Sequence, residues 1–190
     1  MKKLALATLV AASLLPAVVF AATDSYIIDG NHSMPRFEYS LLGYFTQLSR
    51  FDKATGKITL DRDAKTGSVD VVIDATSINT GYPLLNTNLQ DVDFFDTATY
   101  PTITFKSSSV KFDGDKVVAV DGDLTVKGVT KPVTLIIVSF LCTPHPMPKK
   151  ETCGATATTK IKRTEFNAGK YAPYVSDDVT LIIPIEAVKE

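Results

Sequence analysis

Residues 102–106 read Thr-Ile-Thr-Phe-Lys, a short run in which polar and apolar side chains alternate. This alternation is typical of a β-strand with one face in a core and the other in solvent. Because successive side chains of a strand point to opposite faces, Ile103 and Phe105 share the inner face. Lys106 then belongs to the outer face. The run therefore predicts a strand that supplies half of a hydrophobic core.

Further runs of the same kind extend along the chain. Residues 57–60, 69–74 and 155–162 alternate in a similar way, whereas residues 133–141 and 179–188 are apolar on both faces. The last two predict strands with a covered outer face. Turn signals rich in Gly and Asp separate the runs, which gives about eight strands at hairpin-like spacing. An all-β sandwich or closed barrel follows. Pro184 predicts an edge, an end or a bulge within its strand.

One segment departs from the strand pattern. Between residues 84 and 95 the apolar positions are Leu85, Leu89, Val92 and then Phe95, which is helical spacing. Pro83 suits the first turn of a helix. A short helix is expected here. It would either flank or plug the barrel, or form a lid over a ligand.

The N-terminus has the three parts of a secretory signal peptide. Residues 1–3 are basic, residues 4–15 are apolar, and small or aliphatic residues precede a cleavage site after Ala21 or Ala22. We therefore expect a signal peptide at 1–21 and one mature domain at 22–190. No later run approaches the ~20 apolar residues of a membrane span. The expected location is the bacterial periplasm.

Composition excludes several functional classes. The chain of 190 residues has 20 Lys and Arg against 21 Asp and Glu, a net charge of -1. Nucleic-acid binding usually needs a basic surface, so no nucleic-acid partner is expected. Two Cys and two His are too few for a zinc finger. We expect no metal and no cofactor.

The two cysteines flank a Pro-rich segment. In an oxidising compartment, Cys142 and Cys153 are most simply one disulfide. The alternative is a soft Cu(I) site that also uses His145 and Met147. Three prolines in five residues favour a stiff loop, and hence the disulfide.

Signals for catalysis are weak. The only histidines are His32 and His145, and the Gly-x-Ser-x-Gly nucleophile motif is missing from the sequence. Most carboxylates lie beside turn glycines, where turn chemistry accounts for them. The sequence predicts a protein that is not an enzyme.

Two longer motifs resemble the YceI-like, polyisoprenoid-binding family. They are residues 91–107, Asp-Val-Asp-Phe-Phe-Asp-Thr-Ala-Thr-Tyr-Pro-Thr-Ile-Thr-Phe-Lys-Ser, and residues 121–135, Asp-Gly-Asp-Leu-Thr-Val-Lys-Gly-Val-Thr-Lys-Pro-Val-Thr-Leu. Weaker matches lie at residues 26–29, 32–33, 42–43, 50–51, 76–80 and 176–179. The resemblance implies an antiparallel, eight-stranded, lipocalin-like barrel that holds a long isoprenoid or another amphiphilic lipid.

The chain departs from that family at several positions. Leu41 stands where relatives often have His, and Ser49 where they often have Gly. Residues 85–89 read Leu-Asn-Thr-Asn-Leu where relatives often have Arg-Asp-x-His-Leu. If these positions meet a ligand head group, a neutral ligand is favoured over a prenyl phosphate, which would need cationic partners. If they face solvent, the changes are drift.

The predicted function is that of a lipid-binding or lipid-carrying barrel. The expected apolar lining consists of Phe37, Tyr39, Phe51, Ile73, Phe95, Phe105, Leu124, Val126 and Leu135. The expected polar residues at the mouth are His32, Arg36, Asn86 and Asn88. Two other classes stay open: a packed, ligand-free interaction module, and a hydrolase of lipid-like substrates. The sequence leaves the oligomeric state open, a dimer included.

Overall fold

A computed structural model describes residues 23–190. The predicted signal peptide at 1–21 lies outside the described residues and stays a prediction, as does the start of the mature domain at residue 22.

Strands account for most of the described chain. The elements are β1 (Asp24–Ile28), β2 (Arg36–Leu41), β3 (Phe45–Phe51), β4 (Ala54–Asp61), β5 (Thr66–Asp74), β6 (Ile78–Asn79), α1 (Pro83–Gln90), β7 (Thr102–Asp113), β8 (Lys116–Val126), β9 (Val129–Pro144), β10 (Glu151–Lys162) and β11 (Asp178–Lys189). Two short 3-10 helices, Ala75–Ser77 and Arg163–Phe166, complete the set.

Eight of the strands form a closed antiparallel barrel. Their order is β1-β4-β5-β7-β8-β9-β10-β11, and β11 pairs again with β1. Closure removes the exposed edges that an open sheet would present. The predicted eight-stranded barrel with one short helix is therefore confirmed, and the sandwich alternative is wrong.

The remaining strands, β2, β3 and β6, extend the sheet beyond β11. β11 pairs with β1 near its end, from Ala187 to Lys189, and with β2 near its start, from Thr180 to Ile182. β3 and β6 continue from β2. Pro184 lies between the two pairing regions, where it faces only Thr156 of β10 in the strand ladder. Its missing N–H is thus placed at a local edge, as its position in the sequence predicted.

The barrel has two distinct ends. At the first, the helix end, Lys127 Nζ donates to the carbonyls of Val92 and Asn167. Those contacts join the β8–β9 turn, the segment after α1 and the loop between β10 and β11. At the opposite end, Lys65 in the β4–β5 turn pairs with Asp115 in the β7–β8 turn.

The helix is shorter than its apolar periodicity predicted. It begins at Pro83 and ends at Gln90, after which residues 91–100 form turns. Asp91 and Asp93 follow the last turn, and acidic side chains are unfavourable at a helix C-terminus. Within residues 23–190, no helix has the length and apolar character needed to cross a bilayer.

The cysteines form the predicted disulfide. Cys142 on β9 and Cys153 on β10 are opposite each other in the ladder and bonded through sulfur. Because both thiols are consumed, the Cu(I) alternative is wrong. His145, which that alternative also used, accepts a hydrogen bond from the backbone N–H of Met147.

Candidate ligand-binding site

A cavity of about 280 Å³ lies inside the barrel. Side chains from nearly every strand line it, and almost all of the lining surface is apolar. Small-molecule sites usually measure about 300–1,000 Å³, so this cavity lies at the lower limit of that range. The interior is thus an apolar cavity rather than a fully packed core.

The strand alternation decides which side chains reach the cavity. Phe105 on β7 and Leu124 on β8 are paired in the ladder, and both are buried against the cavity. Lys106, the next residue of β7, is exposed. All nine residues predicted as apolar lining border the cavity, namely Phe37, Tyr39, Phe51, Ile73, Phe95, Phe105, Leu124, Val126 and Leu135. Their contact with a ligand stays a prediction.

Aromatic rings cluster at one side of the cavity. The Phe51 ring lies 5.5 Å from Phe37 and 5.5 Å from Phe95, between ring centroids. Phe95 belongs to the segment after α1, which also supplies Phe94 to the lining. Leu85 and Leu89 of α1 border the cavity as well. The helix therefore flanks the barrel and covers part of its interior.

The four predicted polar residues lie in different places. Arg36, exposed at the start of β2, borders the cavity. Asn86 lies outside the lining, because its side-chain oxygen accepts hydrogen bonds from the backbone N–H and the hydroxyl of Thr80. Asn88 is exposed on α1, also outside the lining. The sequence pattern placed these asparagines on the helix correctly but could not fix which of its faces meets the interior.

His32 lies on the outside of the barrel wall. Its Nδ1 is 2.9 Å from Asp29 Oδ2 and 3.7 Å from Glu186 Oε1. The buried Ser33 hydroxyl accepts a hydrogen bond from the Glu186 backbone N–H and fixes this turn to β11. His32 therefore belongs to the crossing between β1 and β2 and lies away from the cavity.

Sequence reasoning missed the polar residue that closes the helix end, Arg163. Its guanidinium donates to the backbone carbonyls of Ser176, Ala168 and Val175 at 2.6–2.9 Å. Burial lowers the pKa of Arg163, although the carboxylate of Asp177 acts in the opposite direction. Because its donors are already engaged, Arg163 organises the loop rather than offering a free cation. No sequence motif marked it.

At the opposite end the cavity meets a charged network. Tyr26 borders the cavity, and its hydroxyl donates to Glu151, which also pairs with Arg62 at 2.6 Å. Burial, followed by the hydrogen bond to Glu151, raises the pKa of Tyr26 far above its ordinary value. The phenol therefore stays protonated and neutral beside the apolar interior.

Two of the unusual positions of this chain face the cavity. Leu41 and Leu85 belong to the lining. Ser49 is buried in β3 opposite Phe37 and lies outside the lining. Leu41 and Leu85 therefore lie where a ligand can contact them. The alternative that these positions face solvent does not apply to them.

Comparison with known proteins gives consistent matches. Residues 26–187 match the family of YceI-like domains. Protein YceI of Escherichia coli O157:H7 is 37% identical over 182 residues, which cover 94% of each chain. The crystal structure of Burkholderia cenocepacia BcnA aligns with a TM-score of 0.72 at 26% identity, over 84% of this chain and 98% of that one.

One further solved structure shares the fold. A polyisoprenoid binding domain from Saccharophagus degradans, implicated in plant cell wall breakdown, aligns with a TM-score of 0.63 at 19% identity. The alignment covers 87% of this chain and 98% of that one. At this identity the likeness is one of fold alone.

Proposed function

The chain belongs to the family of YceI-like domains, and from this premise we propose that its barrel binds a long-chain isoprenoid or another amphiphilic lipid. The observation that carries the proposal is the cavity inside the barrel with its almost wholly apolar lining. The fold shared with a polyisoprenoid binding domain is further support.

Burial of hydrocarbon supplies the affinity. Each Å² of apolar surface removed from water contributes about 25 cal/mol, so an extended chain inside the barrel gains stabilisation along its whole length. A cavity lined by apolar side chains holds water poorly, because water there lacks hydrogen-bond partners. A hydrocarbon chain thus has little competition from solvent.

The ligand in this proposal has an uncharged head group, such as a quinone, a fatty amide or a free lipid alcohol. Leu41 and Leu85 border the cavity, at positions where the family resemblance leads us to expect His and Arg. The guanidinium of Arg163 is engaged with backbone carbonyls. A phosphate would need charge-assisted hydrogen bonds that these side chains do not supply, and the other cation among the lining residues, Arg36, is exposed at the start of β2.

The protein acts as a carrier in the periplasm and not as an enzyme. The disulfide supports an oxidising compartment. The basic and apolar N-terminal residues support export. A panel of lipid esters tests the catalytic alternative, since steady hydrolysis by the pure protein would contradict the carrier role.

A tryptophan reporter tests ligand binding. The chain contains no Trp, so Phe105→Trp or Phe51→Trp gives an indole signal without background. Both positions border the cavity. Addition of a long-chain prenol should shift the emission to the blue with saturation at one equivalent. A Trp at the exposed Lys106 is the matched control and should not respond. If neither cavity reporter responds to any lipid while the fold is retained, a ligand-free interaction module replaces the carrier.

The head-group proposal has its own test. The Phe105→Trp protein without further substitution should bind a prenol more tightly than the corresponding prenyl phosphate. Leu85→Arg introduces a cation at the cavity wall and should shift this preference towards the phosphate. Asn88→Arg places the same charge on the exposed side of α1 and should leave the preference unchanged. Tighter binding of the prenyl phosphate by the Phe105→Trp protein without further substitution would contradict an uncharged head group.

A further inference from the structure

Exposed apolar side chains are concentrated at the helix end of the barrel. Six of them form what we call the apolar rim: Tyr44, Phe45, Tyr82, Leu84, Tyr171 and Tyr174. Their exposed fractions range from 53% for Phe45 to 82% for Tyr44. So many large apolar side chains in solvent at one place usually mark an interaction surface.

Backbone and side-chain contacts hold the rim segments together. The backbone N–H of Leu42, at the tip of the β2–β3 hairpin, donates to the carbonyl of Tyr174 at 2.7 Å. The ring of Tyr171 lies 6.0 Å from that of Phe94, in the segment after α1. The hairpin tip, the β10–β11 loop and the helix region thus meet around one end of the barrel.

Two residues of the rim are sequence neighbours of residues that line the cavity. Leu84 on α1 is exposed, and its neighbour Leu85 borders the cavity. Tyr174 is exposed, and its neighbour Val175 borders the cavity. Exposed apolar side chains and cavity-lining apolar side chains therefore lie at adjacent positions of the same two segments.

The opposite end of the barrel is polar in comparison. Lys65 and Asp115 join two of its turns at 2.7 Å, and Arg62 pairs with Glu151 beneath the cavity. Met147 is exposed in the β9–β10 turn at this end, without a comparable group of aromatic neighbours among the described residues. The two ends thus differ in the surface that they present.

We propose that the apolar rim docks on the surface of a lipid bilayer, so that the cavity faces the membrane during ligand transfer. This inference rests on the proposed lipid-binding function. Direct transfer keeps the hydrocarbon chain out of water. Passage through solvent would cost free energy in proportion to the apolar area that the chain exposes. Tyrosine suits the bilayer surface because its ring is apolar and its hydroxyl stays hydrated.

The charges at the rim favour a neutral membrane surface over an anionic one. Lys170 lies beside Tyr171, but its ammonium is paired with Asp93 at 3.2 Å. Attraction to anionic lipid needs several basic side chains that are free to meet it, and the ammonium of Lys127 at this end is also engaged, by the carbonyls of Val92 and Asn167. Docking should therefore depend on apolar contact and be little affected by salt.

Sedimentation with phosphatidylcholine vesicles tests the docking. The wild type should pellet with the vesicles at low and at high salt. A Tyr44→Ser, Tyr174→Ser variant should bind them at least about tenfold more weakly, which corresponds to about 1.4 kcal/mol. Val138→Ser and Met147→Ser remove side chains of 62% and 80% exposure away from the rim and should bind as the wild type does.

A second measurement separates this inference from the proposed function. The rim variant, in the Phe105→Trp background, should bind a soluble short-chain prenol as tightly as the unmodified rim. Docking is wrong, and ligand binding stands, if the proteins bind prenol but the wild type does not pellet with the vesicles. The same holds if the rim variant and the wild type pellet to the same extent. If neither the rim variant nor the protein with the unmodified rim binds prenol, the proposed function is wrong. If the rim substitutions instead abolish self-association measured by light scattering, the rim joins two copies of this chain and membrane docking is overturned.

Discussion

The ring of Phe95 meets that of Phe37 edge to face, with centroids 5.9 Å apart and planes inclined at 74°. Phe37 belongs to β2, whereas Phe95 follows α1 by five residues. Edge-to-face packing is a favourable arrangement because the positive ring edge meets the negative face. This contact fixes the helix region to the barrel wall and covers part of the cavity.

Removal of the Phe95 ring should destabilise the protein. Phe95→Ala takes away the contacts with Phe37 and Phe51 and leaves a void beside the cavity. Because Phe95 is only half-buried, the loss should lie at the lower end of the usual range, about 3 kcal/mol. Urea unfolding measures it. Val92→Ala, at a residue 69% exposed, is the control and should change stability little. Equal losses in the two variants would contradict this role of Phe95.

Arg163 should be more important than its single charge suggests. Lys at this position keeps the charge but cannot donate from a planar fork to the carbonyls of Ser176, Ala168 and Val175. Arg163→Lys should therefore lower the free energy of unfolding by about 2–3 kcal/mol. Hydrogen exchange in residues 167–177 should become faster. Hydrogen-exchange protection equal to that of the wild type would show that the loop keeps its conformation without the Arg163 guanidinium.

The disulfide should contribute stability through the loop that it closes. Cys142 and Cys153 are 11 positions apart, and a loop of this length corresponds to about 3 kcal/mol in the chain-entropy account. Reduction should lower the free energy of unfolding by no more than this amount. Alkylation without reductant should label neither thiol. Two freely labelled cysteines in protein from the native host would refute both the bridge and the oxidising compartment.

Acid should remove the stabilisation contributed by Asp24. A hydrogen bond from Lys189, with desolvation acting in the opposite direction, holds the pKa of Asp24 below its usual value of 3.8. Since the folded pKa is the lower one, this stabilisation is complete above pH 3.8 and declines as the pH falls through the folded pKa. Asp24→Asn should thus be less stable than the wild type near neutral pH, by up to about 1 kcal/mol.

Urea unfolding over a pH series measures this difference, which should shrink as the solution becomes acidic. Lys189→Met is the companion variant, because it removes the first partner of Asp24 and should bring the carboxyl pKa back towards 3.8. A difference between wild type and Asp24→Asn that stays constant through the acid range would contradict the ion pair as its source.

Strand periodicity identified the barrel wall well, because its physical basis is local. The alternation around Phe105 predicted which face of β7 meets the interior, and the cavity lining agrees. The pairing of β11 with both β1 and β2 depends on closure of the whole ring, to which no short run of sequence refers. The sequence therefore indicated an edge at Pro184 but not its cause.

The polar part of the site was harder to predict. Asn86 was expected at the mouth, yet its side chain is occupied by Thr80, and His32 is turned to the outside by Asp29. Arg163 borders the cavity through a loop whose conformation arises from many backbone contacts. Polar side chains choose among several partners, so their directions follow from tertiary structure rather than from spacing.

Analysis of the lipid that accompanies the protein tests the central claim most directly. Protein purified under native conditions from its own host should be extracted with organic solvent, and the extract identified by mass spectrometry. The account predicts about one equivalent of a long-chain lipid with an uncharged head group, and a melting temperature that falls when the lipid is stripped, as for any ligand that binds only the folded state. A correctly folded protein that yields no lipid, and that gains no stability from any added prenol or quinone, would contradict it.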